Sequence, residues 1–253
     1  RVAEHSVQPD LARCAVQQIG AAYDVVDTHR AVVDDDGGHA DRTAGEDRGR
    51  APLDGRPDGA YEMVGMLDDG SGCWAIDGTV MPYGGKLYFV WSGWESRENT
   101  NQNLYIAPMK SPTELSGARV LLSRPEYDWE KRGSGPTKAG KCLPTVNEGP
   151  QILEKDGTVH IIYSAAGSWC RHYCLGRLTL RGGDPLEAAN WVKHPEPVFV
   201  ENEGTHGPGH CSFVKARDGK TDFIVYHARR DAKGGWVGRG MRAQPFGWDG
   251  DVP

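Results

Sequence analysis

From residue 61 onward, apolar and aromatic positions come in short runs broken by glycine turns. The segments KLYFVW (86–91), TVHIIYS (158–164) and TDFIVYH (221–227) are rich in β-branched and aromatic residues. Each follows a tight turn, at Gly84 and Gly85, at Asp156 and Gly157, and at Asp218 and Gly219 respectively. Such runs behind a two-residue glycine turn predict the second strands of β-hairpins. No 15-residue stretch repeats its apolar positions with a helical period, so the pattern predicts an all-β chain with few helices.

Aligning the three turns reveals a repeat. Gly85, Gly157 and Gly219 are 72 and 62 residues apart. A first strand precedes each turn, in AIDGTVMPYGG (75–85), NEGPQILEKDG (147–157) and GHCSFVKARDG (209–219). A third strand follows in QNLYIAPM (102–109), CLGRLTL (174–180) and GRGMRAQPF (238–246). The first two units add a fourth, expected near ARVLLS (118–123) and EPVFVE (196–201). Antiparallel four-stranded units repeating along the chain are the mark of β-propeller blades. Three blades and part of a fourth are readable.

Composition divides the chain. The 253 residues contain 22 aromatics, yet residues 1–60 hold only Tyr23 and no lysine. That segment is crowded with Asp, Arg, Ala and Gly and offers little apolar surface to offset the entropy of ordering. It is read as an atypical N-terminal segment, poorly ordered or arising from a damaged reading frame, ahead of a propeller domain at 61–253. Arg1 in place of Met implies that the true start is missing, and no signal peptide opens the chain. A net charge of −6 without a Lys/Arg cluster argues against nucleic acid. The longest apolar run, 87–91, is far too short for a membrane-spanning helix.

In a propeller blade the first strand lies nearest the central channel. Asp77, Glu148 and His210 fall 8, 9 and 9 residues before their turn glycines, so they are expected at one register, aimed at one axis. Three ionisable groups so placed are costly to desolvate unless they share a task. Two carboxylates flanking a cleft suit glycosidic hydrolysis, which needs one acid protonated and another ionised. Arg239 and Arg242 alternate to opposite faces of the last third strand, so only one can look inward. Trp94, Trp129 and Trp169, placed in loops, are candidate sugar platforms, and His206 is expected at the same mouth as His210. Cys170, His172 and Cys174 sit close together in CRHYC (170–174), but loop thiols are preferred over a zinc site there.

WAIDGTV (74–80), NEGPQIL (147–153), GPGHCSFV (207–214) and GRGMRAQPFGWDGD (238–251) together resemble glycoside hydrolase family 43, and the α-L-arabinofuranosidase-like branch most. The resemblance covers about residues 61–253. It implies a five-bladed propeller, here incomplete, acting on arabinose- or xylose-containing oligosaccharides and polysaccharides with inversion. It assigns Glu148 as general acid, Asp77 as the carboxylate that tunes and orients it, and Arg239 as the sugar-contacting arginine. His210 corresponds to the histidine that holds a central calcium or chloride ion, usually through water; no cofactor is needed for the chemistry. The family's general base is an Asp-Pro aspartate about one repeat before Asp77. The window holds Asp10, in QPDLARC (8–14), with Pro and Asp reversed. A complete ring needs more chain than 61–253 supplies, so a truncated or frame-damaged member is expected. Since no clear base is identifiable, a non-catalytic carbohydrate-binding propeller is the competing reading.

Overall fold

The computed structural model describes residues 49–52 and 61–253 apart from 234. In chain order the strands are β1 (Gly49–Pro52), β2 (Tyr61–Gly65), β3 (Ala75–Tyr83), β4 (Lys86–Trp94), β5 (Asn101–Ser111), β6 (Glu114–Leu115), β7 (Val120–Ser123) and β8 (Gly135–Pro136). They continue as β9 (Cys142–Leu143), β10 (Thr145–Lys155), β11 (Thr158–Ala165), β12 (Cys174–Leu180), β13 (Trp191–Lys193), β14 (His206–Lys215), β15 (Asp222–Arg229) and β16 (Arg239–Phe246). A single 3-10 turn, Ala188–Asn190, is the one helical element among the described residues. The chain is all-β, as its pattern predicts.

The strands form successive antiparallel meanders. β3, β4 and β5 pair in order, with β6 and β7 both on the outer edge of β5. β10 to β13 follow, then β14 to β16. A short parallel bridge, Thr145 to Asn101 and Val146 to Gln102, joins the first two meanders. β10 packs against both β3 and β14, so the three first strands lie side by side.

The fourth strand of the second unit departs from expectation. It is β13, Trp191–Lys193, and not residues 196–201. Pro197 removes a backbone donor from that stretch and Pro195 another just before it, which works against a ladder there. It keeps only a bridge at Phe199, whose carbonyl accepts from Leu175 N–H while Val198 N–H donates to Leu175 O.

Burial on both faces explains the unbroken apolar runs. Tyr88 to Gly93 in β4 and Val159 to Ala165 in β11 are buried throughout, because each meander is covered by its neighbours. Alternation along β11 sends Ile161 and Tyr163 toward Val90, Leu104 and Ile106 of the first meander. Ile162 faces the opposite way, toward Ile224, Tyr226 and Ala228 of the third. The middle meander is thereby clamped on both sides.

A buried polar network locks the entry to β10. Glu130 is fully buried and accepts hydrogen bonds from the backbone N–H groups of Glu126 and Tyr127, from Asn147 Nδ2 and from Tyr163 Oη. Lys193 Nζ pairs with the same carboxylate at 2.8 Å. Asn147 is held further by Ser123 Oγ on its side chain and Ser92 Oγ on its carbonyl. Removing one partner of a buried ion pair strands the other charge, so Glu130→Ala is expected to lose about 3–5 kcal/mol of stability. Urea denaturation measures this, and a loss below ~1 kcal/mol would show the network to be dispensable.

Candidate active site

The three first strands share one irregularity. Ile76 pairs with Ser92 and Thr79 with Val90, so β3 carries one residue more than β4 between those pairs. β10 does the same between Glu148 and Gln151, and β14 between Gly209 and Ser212. Each is a β-bulge, a device that re-aims side chains. The inserted position adopts a left-handed backbone in all three: Asp77 at φ 58°, Gly149 at 56° and His210 at 51°. For the two non-glycine residues that conformation costs roughly 1–2 kcal/mol each.

These pairings correct the expected register. Asp77 and His210 are equivalent positions, but the third member of their ring is Gly149. Glu148 stands one residue earlier, in register with Ile76 and Gly209. The three functional side chains nevertheless converge. Gly149 N–H donates to Asp77 Oδ2 at 3.1 Å, and His210 Nε2 lies 3.7 Å from Asp77 Oδ1. Glycine at 149 takes the left-handed backbone without the cost that Asp77 and His210 bear, and it avoids crowding the His210 ring, which a Cβ there would approach to 3.2 Å.

Glu148 is the electrostatic centre. Burial lifts its carboxyl above the ordinary range, and the Asp77 charge adds to the lift; a hydrogen bond from Tyr173, with His210 and Arg239, works against it. Tyr173 Oη donates to Glu148 Oε1 at 2.6 Å. His227 stacks on Tyr173, with ring centroids 5.6 Å apart and planes 5° from parallel. Burial, with Arg239, His210 and Arg229, pushes His227 down to about 3, so this imidazole is neutral at physiological pH. Arg239 donates to Ser168 O at 2.5 Å and keeps its buried Nε without a partner. Arg242 turns the other way, to Thr205 Oγ1 and Gly204 O, so the inward arginine is Arg239.

The aromatic candidates divide. Trp169 lies beside the Arg239 contact, meets Trp236 edge-on at 6.4 Å and donates to Gly133 O. Trp236 is 63% exposed and bonds Ser168 Oγ. Trp94 ends β4 rather than lying in a loop; it stacks on Trp74 at 5.1 Å and leaves its buried Nε1 unpaired. Trp129 instead packs on the first core, donates to Pro195 O, and lines a shallow cleft with His172 and Glu201. His206 likewise bonds Glu201, at 2.9 Å. Asp10, the expected base, lies outside the described residues.

Tyr173, His227, Arg229 and Trp236 escaped sequence reasoning. Tyr173 sits inside CRHYC, where the thiols drew attention. Those thiols serve packing: Cys174 is buried and pushed up to about 12, and Cys170 is raised as well. Among the described residues no three His, Cys, Asp or Glu side chains form a metal-ligand set. His210 Nε2 lies toward Asp77 in this arrangement.

The family model for glycosyl hydrolases family 43 matches residues 55–253. The chain belongs to that family. It is 37% identical over 175 residues to an extracellular exo-α-(1->5)-L-arabinofuranosidase of Streptomyces chartreusis, covering 68% of this chain and 50% of that protein. It is 34% identical over 201 residues to α-L-arabinofuranosidase 43 of Humicola insolens, covering 76% and 40%. The crystal structure of an α-L-arabinofuranosidase from Lactobacillus brevis superposes with a TM-score of 0.72 at 33% identity, over 81% of this chain and 64% of that one. A thermostable family-43 glycoside hydrolase shares the fold at 22% identity and a TM-score of 0.65. This family 43 chain thus spans half or less of the curated relatives it matches.

Asp77→Asn removes a neighbouring negative charge while leaving an acceptor for Gly149 N–H. The Glu148 carboxyl is then expected to titrate lower than in the parent protein. Carbon-13 carboxyl NMR reads this directly, and an unmoved or raised titration would deny the coupling.

Proposed function

We propose that this family 43 chain is a glycosidase that releases terminal α-L-arabinofuranosyl residues, with β-xylosyl residues as the second choice, from plant-type oligosaccharides or polysaccharides. The observation that carries the reading is a carboxyl group, Glu148, whose pKa is raised above its ordinary value by burial and by an adjacent aspartate, and which is gripped by Tyr173 at 2.6 Å. A general acid needs this property, since its proton must survive until the leaving oxygen takes it. The arabinofuranosidase names of the curated relatives favour arabinose over xylose. The three meanders correspond to blades of a five-bladed propeller, with β3, β10 and β14 lining its channel.

In the proposed single displacement, the Glu148 proton passes to the glycosidic oxygen as the bond to the anomeric carbon breaks. A water oxygen bonds that carbon from the opposite face, and its proton goes to a base. The family resemblance supports inversion; the family's base is an Asp-Pro aspartate about one repeat before Asp77, where this chain offers Asp10 with Pro and Asp reversed. Arg239, which interacts electrostatically with Glu148, is the sugar-binding cation, and Trp94, Trp169 and Trp236 are the surrounding apolar platforms.

General acid catalysis typically contributes about 10²–10⁴-fold. Glu148→Gln is therefore expected to lose that much turnover on an arabino-oligosaccharide, with binding retained. Equal rates for both proteins would remove Glu148 from the role. Binding by the parent protein without any turnover would assign the chain to non-catalytic carbohydrate recognition. The pH profile follows from the sign of the shift: the active form is protonated Glu148, so kcat/KM is full below its raised pKa and falls as pH climbs through it. A basic limb at or below the ordinary glutamate range would contradict the assignment.

A further inference from the structure

A carboxylic acid has two oxygens, and only one can carry the transferable proton toward the substrate. Glu148 Oε1 is already taken by Tyr173. We infer that Tyr173 is a positioning residue for Glu148: by occupying Oε1 it leaves Oε2 as the proton's seat and fixes the plane of the carboxyl group. This rests on the reading of Glu148 as general acid.

Tyr173 is built for that single contact. It is 1% exposed. Its ring fills the space above Gly209, where a Cβ would fall 2.3 Å from the phenol ring, and its other face stacks on neutral His227. The segment before it is tied down twice, by Gly207 N–H on Arg171 O and by Arg229 Nη2 on Cys170 O at 2.7 Å. The phenol closes a chain of hydrogen bonds across three elements. His210 N–H donates to Ser164 Oγ at 2.7 Å, the Ser164 hydroxyl bonds the Tyr173 oxygen, and Tyr173 donates to Glu148. Burial and the Glu148 charge raise the phenol far above its ordinary range, so it remains a donor whether Glu148 is protonated or not. The proton that leaves is therefore that of Glu148 Oε2, never that of Tyr173.

The titratable groups facing Glu148 are Asp77 from β3, His210 from β14 and Arg239 from β16; Tyr173, from the segment before β12, is the hydrogen-bond donor among them. A donor to the carboxylate lowers a carboxyl pKa, and its loss raises it.

Tyr173→Phe keeps the ring, the stack on His227 and the packing over Gly209. Turnover of an arabino-oligosaccharide, whose leaving group needs protonation, is expected to fall about 10–100-fold, the scale of a misplaced catalytic group. Cleavage of 4-nitrophenyl α-L-arabinofuranoside, whose leaving group needs little protonation, is expected to fall far less, with KM unchanged on both. By carboxyl NMR the Glu148 titration moves up. Difluorotyrosine at position 173, a stronger donor on an unaltered skeleton, moves it down. Equal losses on both substrates, or a Glu148 titration unmoved by either replacement, overturns the inference. A parent protein that cleaves neither substrate fails the glycosidase reading itself; the titrations still report on the Tyr173 contact, so the two failures are told apart.

Discussion

One extra residue in each first strand governs the rest of this molecule. A regular strand would alternate its side chains above and below the sheet, and nothing would point along the strand edge into a shared space. The bulges at Asp77, Gly149 and His210 break that alternation at the same height in three neighbouring meanders. The backbone pays in left-handed conformations, which a packed surround must hold in place. That surround is visible. Clusters on both sides clamp the middle meander, and Glu130 and Asn147 anchor the chain immediately before Glu148.

The chemistry follows from the same geometry. Bringing Asp77, Glu148 and His210 together takes Glu148 out of water and sets a second carboxylate beside it, and both effects raise the Glu148 pKa. Tyr173 and Arg239 moderate this from the other flank. Two histidines in one small region behave differently because their surroundings differ: His210 faces a carboxylate, whereas His227 is enclosed among cations and is held neutral.

Much of this was legible in the chain. The glycine turns mark the three hairpins, and the β-branched runs mark strands β4, β11 and β15 because those strands are buried on both faces. Glu148, Asp77, His210 and Arg239 stood out because charged residues at the head of apolar strands need a reason to be there. Counting back from the turns allowed 8, 9 and 9 residues, and that latitude of one placed Glu148 in the register that Gly149, eight before Gly157, occupies. Prolines hid the true fourth strand of the second unit, since the composition of 196–201 reads as a strand while Pro195 and Pro197 work against its ladder. Tyr173 and His227 were hidden for a different reason. An aromatic or imidazole in a β run reads as core, and its partner lies 25 residues away for Tyr173 and further for the others.

The claim at the centre is that sugar is cleaved where these three strands meet. Its most direct test is a crystal structure of Glu148→Gln with a bound arabino-oligosaccharide. The account predicts the glycosidic oxygen within about 3 Å of the substituted side chain, the distance proton transfer requires, with the terminal sugar against Arg239. A sugar seated elsewhere, such as the outer cleft lined by Tyr83, Tyr88 and Asp184, with the strand junction empty, would contradict it.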